Sequence, residues 1–188
     1  MSNDFLQVYL ENLHSAISEL PISDIENVVD VIYQAYQQGN HIFIMGNGGS
    51  AATSSHFACD LGKGTVSPGK GRFRVMSLND NIPLMTAYAN DFGYEHIFAE
   101  QLENLVQPED VVIMITASGN SPNILLAAEC ARKHGAITVG LIGFGGGKLK
   151  SLSDHHITIS SKDYGNVEDI HLILEHAISA YFRERLKK

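Results

Sequence analysis

Five short runs with strand character, separated by segments of helical period, constrain this chain more than any other feature. They fall at 41–45 (HIFIM), 73–78, 110–115 (DVVIMI), 136–142 (AITVGLI) and 156–159. The runs at 41–45, 110–115 and 136–142 are almost continuously apolar, which suits strands covered on both faces. Helical patterns occupy 50–61, 82–89, 94–105, 122–134 and 167–183, with Pro122 suited to a first helical turn. Strand–helix alternation of this kind predicts an α/β fold with a parallel sheet between layers of helices.

Two further helices precede the first strand. Phe5, Val8, Tyr9, Leu13, Ile17 and Leu20 recur at helical spacing, and Pro21 ends that run. Ser23 is the expected cap of the second helix, with Asp24 and Glu26 in its first turn. Gly39 and Asn40 close it. No repeat, low-complexity tract or linker divides the chain, so 1–188 is expected to form one domain. The hairpin of 1–40 is a candidate for packing against another copy.

Composition narrows the partners. A formal net charge of −8 argues against nucleic acid, whose phosphates demand a basic face. It does not exclude small anions, which a few local dipoles can hold. Charged residues make up only 18% of the chain, which hints at surface buried in an oligomer. Two cysteines and no Cys-x-x-Cys pair fit a reducing cytoplasm. The first twenty residues lack the charge pattern and apolar stretch of a signal peptide. No apolar run approaches the ~18 residues of a membrane span.

Two loops carry the candidate chemistry. Gly46–Asn47–Gly48–Gly49–Ser50 follows the first strand and Thr116–Ala117–Ser118–Gly119–Asn120–Ser121 follows the third, each with a helix directly behind it. Glycines let backbone N–H groups approach an anion, and a helix directs its positive end there. The hydroxyls of Ser50, Thr116, Ser118 and Ser121 and the amide of Asn120 can donate to several oxygens of one phosphate. There is no Gly-x-x-x-x-Gly-Lys-Ser/Thr, and Gly-x-Gly-x-x-Gly spacing is missing, so nucleotide readings are disfavoured. His56 and Asp60, four residues apart, share a helix face near the first loop. The last helix carries Glu168, His171, Glu175 and His176 amid apolar neighbours, with His176 about 80° around the helix from Glu168.

The segments MGNGGSAATSSHFACDL, ANDFGYEHIF, ITASGNSPNILLA and EDIHLILEH, in that order, resemble the signatures of the sugar isomerase (SIS) family, and within it the phosphoheptose isomerases. The resemblance covers nearly the whole chain. It implies a flavodoxin-like sheet and a homotetramer with active sites between subunits. It also implies interconversion of sedoheptulose 7-phosphate and a mannoheptose 7-phosphate through an enediolate. By position, Ser50, Thr116, Ser118 and Ser121 would hold the phosphate, with Asn47, Gly48, Gly49, Asn90, Asp91 and Asn120 at the site. His56, Asp60, Glu168 and His176 stand where the family places metal ligands, usually for zinc; Asp60, Glu168 and His176 stand where it draws its acid–base groups. The chain departs from the family at four places. Asp60 replaces a usual glutamate, Glu168 a usual glutamine and Gly165 a usual aspartate, and a basic residue is displaced, with Lys63 nearby. The same resemblance leaves room for a non-catalytic phosphosugar-binding adaptor, or for an isomerase of another phosphosugar.

Overall fold

A computed structural model of the chain describes residues 4–187. Helices α1 (Asp4–Ser18) and α2 (Ile22–Gln38) lead into β1 (His41–Gly46) and α3 (Gly49–Cys59), which runs on as a π-helical turn over Asp60–Gly64. Then come β2 (Arg74–Ser77), α4 (Ile82–Phe92), a 3-10 turn (Tyr94–His96) and α5 (Ala99–Leu105). The remaining elements are β3 (Val111–Thr116), α6 (Pro122–Lys133), β4 (Ile137–Ile142), α7 (Leu149–Leu152), β5 (His155–Thr158) and α8 (Tyr164–Arg185). All neighbouring strands pair in parallel, in the order β2-β1-β3-β4-β5. That is the flavodoxin-like order.

The alternation of side chains along each strand divides the core in two. Ile42, Ile44, Ile113, Ile115, Val139 and Leu141 face one way, against Val28 and Ile32 of α2, Phe57 of α3 and Ile170 and Phe182 of α8. Phe43, Met45, Val112 and Met114 face the other, against Leu102 of α5 and Ile124 and Ala127 of α6. Every residue from Val111 to Ile115 is fully buried. At roughly 1.5–3 kcal/mol per fully buried large apolar side chain, the central strands contribute strongly to the fold's stability.

Several boundaries differ from the sequence reading. Ser23 does not cap α2; Pro21 precedes the helix and no side-chain cap forms. The segment expected to be helical over 94–105 splits, with Ile97 and Phe98 buried between the 3-10 turn and α5. The last helix starts at Tyr164, because Asp163 caps it by accepting from the Asn166 N–H at 3.0 Å. Residues 1–3 of the expected hairpin and residue 188 lie outside the described residues. Helix α4 has no buried residue and exposes Ile82 and Phe92.

Candidate active site

Strand order reverses between β1 and β3, where the two lie side by side and their chains leave in opposite directions. In sheets of this class the crevice beyond the strands' carboxyl ends at that point receives ligands. Both glycine- and serine-bearing loops open into it. Asn47, Ser50, Thr116, Ser118, Ser121, Tyr164 and Glu168 line one cleft of about 130 Å³. Ser50 lies in the first turn of α3, and Ser121 is the residue before Pro122 that opens α6. The cleft is therefore flanked by two helix N-termini, whose partial positive charge favours an anion.

A side-chain clasp holds the two loops together. Asn47 donates to Asn123 at 2.9 Å, and Asn123 donates back at 2.8 Å. The Tyr94 hydroxyl donates to the same Asn47 oxygen at 2.9 Å. Asn79 pins the end of β1, accepting from the Gly46 N–H at 3.1 Å and donating to its carbonyl at 2.9 Å. Asn79, Tyr94, Asn123 and Tyr164 escaped the sequence reading. Asn123 had one available signal: it directly follows the proline that opens α6.

Glycine is required at two points of the first loop. Gly48 adopts φ +56, a left-handed conformation. At Gly49 an added Cβ would run into the Glu168 carboxylate, so the missing side chain lets that carboxylate rest on the loop. Other expected site residues lie elsewhere. Asn120 is exposed, and its amide is spent on the Ser118 carbonyl at 2.8 Å and the Lys148 N–H at 3.1 Å. Asn90 and Asp91 are exposed at the end of α4, hydrogen-bonded to each other at 2.8 Å and outside the cleft lining. Gly165 is met by the Tyr9 hydroxyl, which occupies the space a side chain there would need. Lys63 is exposed on the π-helical turn.

The candidate metal ligands assemble with one exchange. Among the described residues, one ligand atom each from His56, Asp60, Glu175 and His176 gathers within 4.8 Å of the others. His56 Nε2 lies 3.8 Å from Asp60 Oδ1, and His176 Nε2 lies 3.4 Å from Glu175 Oε2. The two imidazoles meet edge to face at 4.9 Å. Glu168 is not in this group. It forms the wall between the cleft and a shallow groove that leads past Thr53 and Leu172 to His56. The helical period explains the exchange: Glu168 and His176 are eight residues apart, about 12 Å along the axis of α8.

Glu175 is fully buried, and neither carboxylate oxygen has a hydrogen-bond partner. Burial pushes its carboxyl above the ordinary range; His176 and His56 pull it back, and the charge of Asp60 raises it again. Two imidazoles, a half-buried carboxylate and an orphaned buried carboxylate form a donor set that fits a divalent cation. One turn earlier, His171 is also fully buried with both ring nitrogens unpartnered, and burial lowers its pKa to about 4. Another surface groove lies between α2 and α8. It carries Glu26 and Asp30, which would repel an anion. A second group, Glu103, Cys130 and His134, has its carboxylate already engaged by Lys133 and His134, both at 2.9 Å.

Residues 5–143 match the family model of the SIS domain. The chain is 37% identical over 155 residues to a phosphoheptose isomerase of Akkermansia muciniphila, covering 82% of each chain. It is 35% identical over 189 residues to the phosphoheptose isomerase of Aneurinibacillus thermoaerophilus, covering 98% of this chain and 95% of that one. The structure of a phosphoheptose isomerase from Francisella tularensis superimposes with a TM-score of 0.89 at 25% identity, covering 98% of this chain and 100% of that one. A cleft at the β1–β3 reversal, two helix N-termini facing it, and these relatives agree: the chain belongs to the SIS domain family.

Proposed function

We infer that this protein interconverts the ketose and aldose forms of a phosphorylated sugar, with sedoheptulose 7-phosphate and a mannoheptose 7-phosphate as the favoured pair. The observation that carries the reading is the shared cleft: two strand-to-helix turns rich in hydroxyls meet there, with the Glu168 carboxylate in its wall. The relatives named above support the choice of sugar.

In this reading Ser50, Thr116, Ser118 and Ser121 donate to the phosphate oxygens, aided by the N-termini of α3 and α6. The sugar carbons then extend along the groove from Glu168 toward His56. Isomerisation removes a proton from the carbon beside the carbonyl and returns one to the neighbouring carbon, through an enediolate. Glu168 serves as the carbon base. His56, Asp60 and His176 would hold a divalent cation, for which zinc is the favoured candidate, and it would supply positive charge to the developing oxyanion.

Further copies of the chain complete the site. Helix α4 buries none of its residues, exposes Ile82 and Phe92, and carries Asn90 and Asp91 at its end. A homotetramer would cover that face and bring Asn90 and Asp91 to a neighbour's cleft. The partners are thus a phosphorylated sugar and other copies. The charge of −8 disfavours nucleic acid, and no helix among the described residues is long and apolar enough to cross a membrane. Free Cys59 and Cys130 suit a reducing cytoplasm.

The test is incubation with sedoheptulose 7-phosphate in deuterated buffer, with and without chelator, followed by NMR. Deuterium at the carbon beside the carbonyl, with an aldose product and loss of both under chelation, is the expected result. Binding with no exchange would replace the isomerase by a phosphosugar-binding or adaptor role.

A further inference from the structure

We propose that Glu175 is the buried anchoring ligand of a divalent-cation site made with His56, Asp60 and His176, which leaves Glu168 to the sugar cleft. The inference builds on the isomerase reading of the same site, but it assigns a residue to which that reading gives no role.

Three observations carry it. The ligand atoms of these four side chains lie within 4.8 Å of one another. The 3.4 Å and 3.8 Å separations within the group are close to the ~3.4 Å between donors around a tetrahedral zinc with ~2.0–2.2 Å bonds. Glu175 supplies the second, independent sign. Its side chain is wholly buried, both oxygens lack a partner, and one of them faces His176. A carboxylate removed from water without a compensating partner is costly, and a cation removes that cost. Glu168, in contrast, rests against Gly49 and lines the cleft with Ser50 and Ser118.

The local sequence accounts for the arrangement. His56 and Asp60 share one face of α3 as it passes into the π-helical turn, a distortion often found at functional sites. Helix α8 packs against α3 and the turn. Glu175 points inward, forming the floor of the site, and the partly exposed His56 and His176 form its rim.

The experiment strips the full-length protein with chelator, then titrates zinc by calorimetry and cobalt by visible absorption. Glu175→Gln is expected to weaken zinc binding by about 100-fold or more and to change the cobalt spectrum, whereas Glu168→Gln shifts affinity by less than about threefold; even an outer-shell partner costs about 10–100-fold. Glu175→Leu guards against a folding artefact. It replaces an unpartnered buried carboxylate with an apolar group, so the metal-free variant should melt no lower than the wild type. Its melting temperature should not rise with zinc, as that of the wild type does. Wild-type zinc affinity in either Glu175 variant, an equal loss in Glu168→Gln, or no zinc binding by the wild type overturns the proposal. Turnover is read separately. Zinc binding through Glu175 in a protein that exchanges no ketose phosphate sinks the isomerase reading alone. Turnover with unaltered zinc binding in Glu175→Gln sinks this one alone.

Discussion

Acidification should destabilise this protein through one histidine. His171 is fully buried on α8, and both of its ring nitrogens lack partners. Burial alone lowers its pKa from 6.5 to about 4. The folded state therefore prefers the neutral ring, and the unfolded chain takes up a proton first as pH falls. The stability tied to this preference is complete above the unfolded value of 6.5 and is lost progressively as pH falls toward the folded value of about 4. The full difference, 6.5 − 4 or roughly 2.5 pH units at ~1.36 kcal/mol each, is about 3 kcal/mol. At about pH 5 roughly 2 kcal/mol of it is already gone. For a chain of this size that corresponds to about 4–8 °C in melting temperature. The assay compares melting at about pH 7.5 and about pH 5 for the wild type and His171→Leu, at fixed protein concentration. The other histidines cancel in the comparison, so the variant should lose about 4–8 °C less than the wild type on acidification. Parallel losses would refute the reasoning. A wild type that gains stability relative to the variant on acidification would show that the imidazolium has an anionic partner.

Gly49→Ala should leave the fold intact but displace the Glu168 carboxylate, lowering kcat/KM on the order of 100-fold. Steady-state kinetics beside circular dichroism checks this, and unchanged turnover would remove Glu168 as the carbon base. Asn123→Ala should remove both hydrogen bonds of the clasp, leaving the Asn47 oxygen to the Tyr94 hydroxyl alone, and cost roughly 1 kcal/mol of stability, seen as a lower melting temperature. It should also raise KM for the phosphosugar more than it lowers kcat, because the clasp sets the spacing of the two anion-facing loops. A variant that melts and binds like the wild type would show that the loops hold their places without the clasp.

Much of the fold was legible in the residues. The three central strands lie where continuous apolar runs were found, because buried parallel strands need side chains that suit both faces; the edge strands β2 and β5, with exposed or half-buried positions, overlap the more mixed runs at 73–78 and 156–159. The two loops were legible for a related reason. Glycine and hydroxyl residues after an apolar run mark a strand-to-helix turn whatever the rest of the chain does. The helix ends were harder to place. Pro21 rather than Ser23 precedes α2, and the break at Ile97 and Phe98 depends on burial that no local pattern announces. Within the site, Asn120 resembled an anion donor by type, but its amide N–H donates to the Ser118 carbonyl two residues back and its oxygen accepts from the Lys148 N–H across the loop.

By itself the sequence determined the strand–helix alternation, the division of the core by period-two strands, and the two turns that can face an anion. These follow from spacings of a few residues, which the chain carries locally. Only the tertiary structure decided which groups meet. Asn47 and Asn123 are 76 positions apart and join because β1 and β3 are neighbours in the sheet. Glu168 and Glu175 are the same residue type on one helix. The packing of α8 across α3 sends one to the sugar cleft and the other to the histidines. Helical periodicity fixes the angle between two side chains on α8, but the fold fixes what lies opposite each of them.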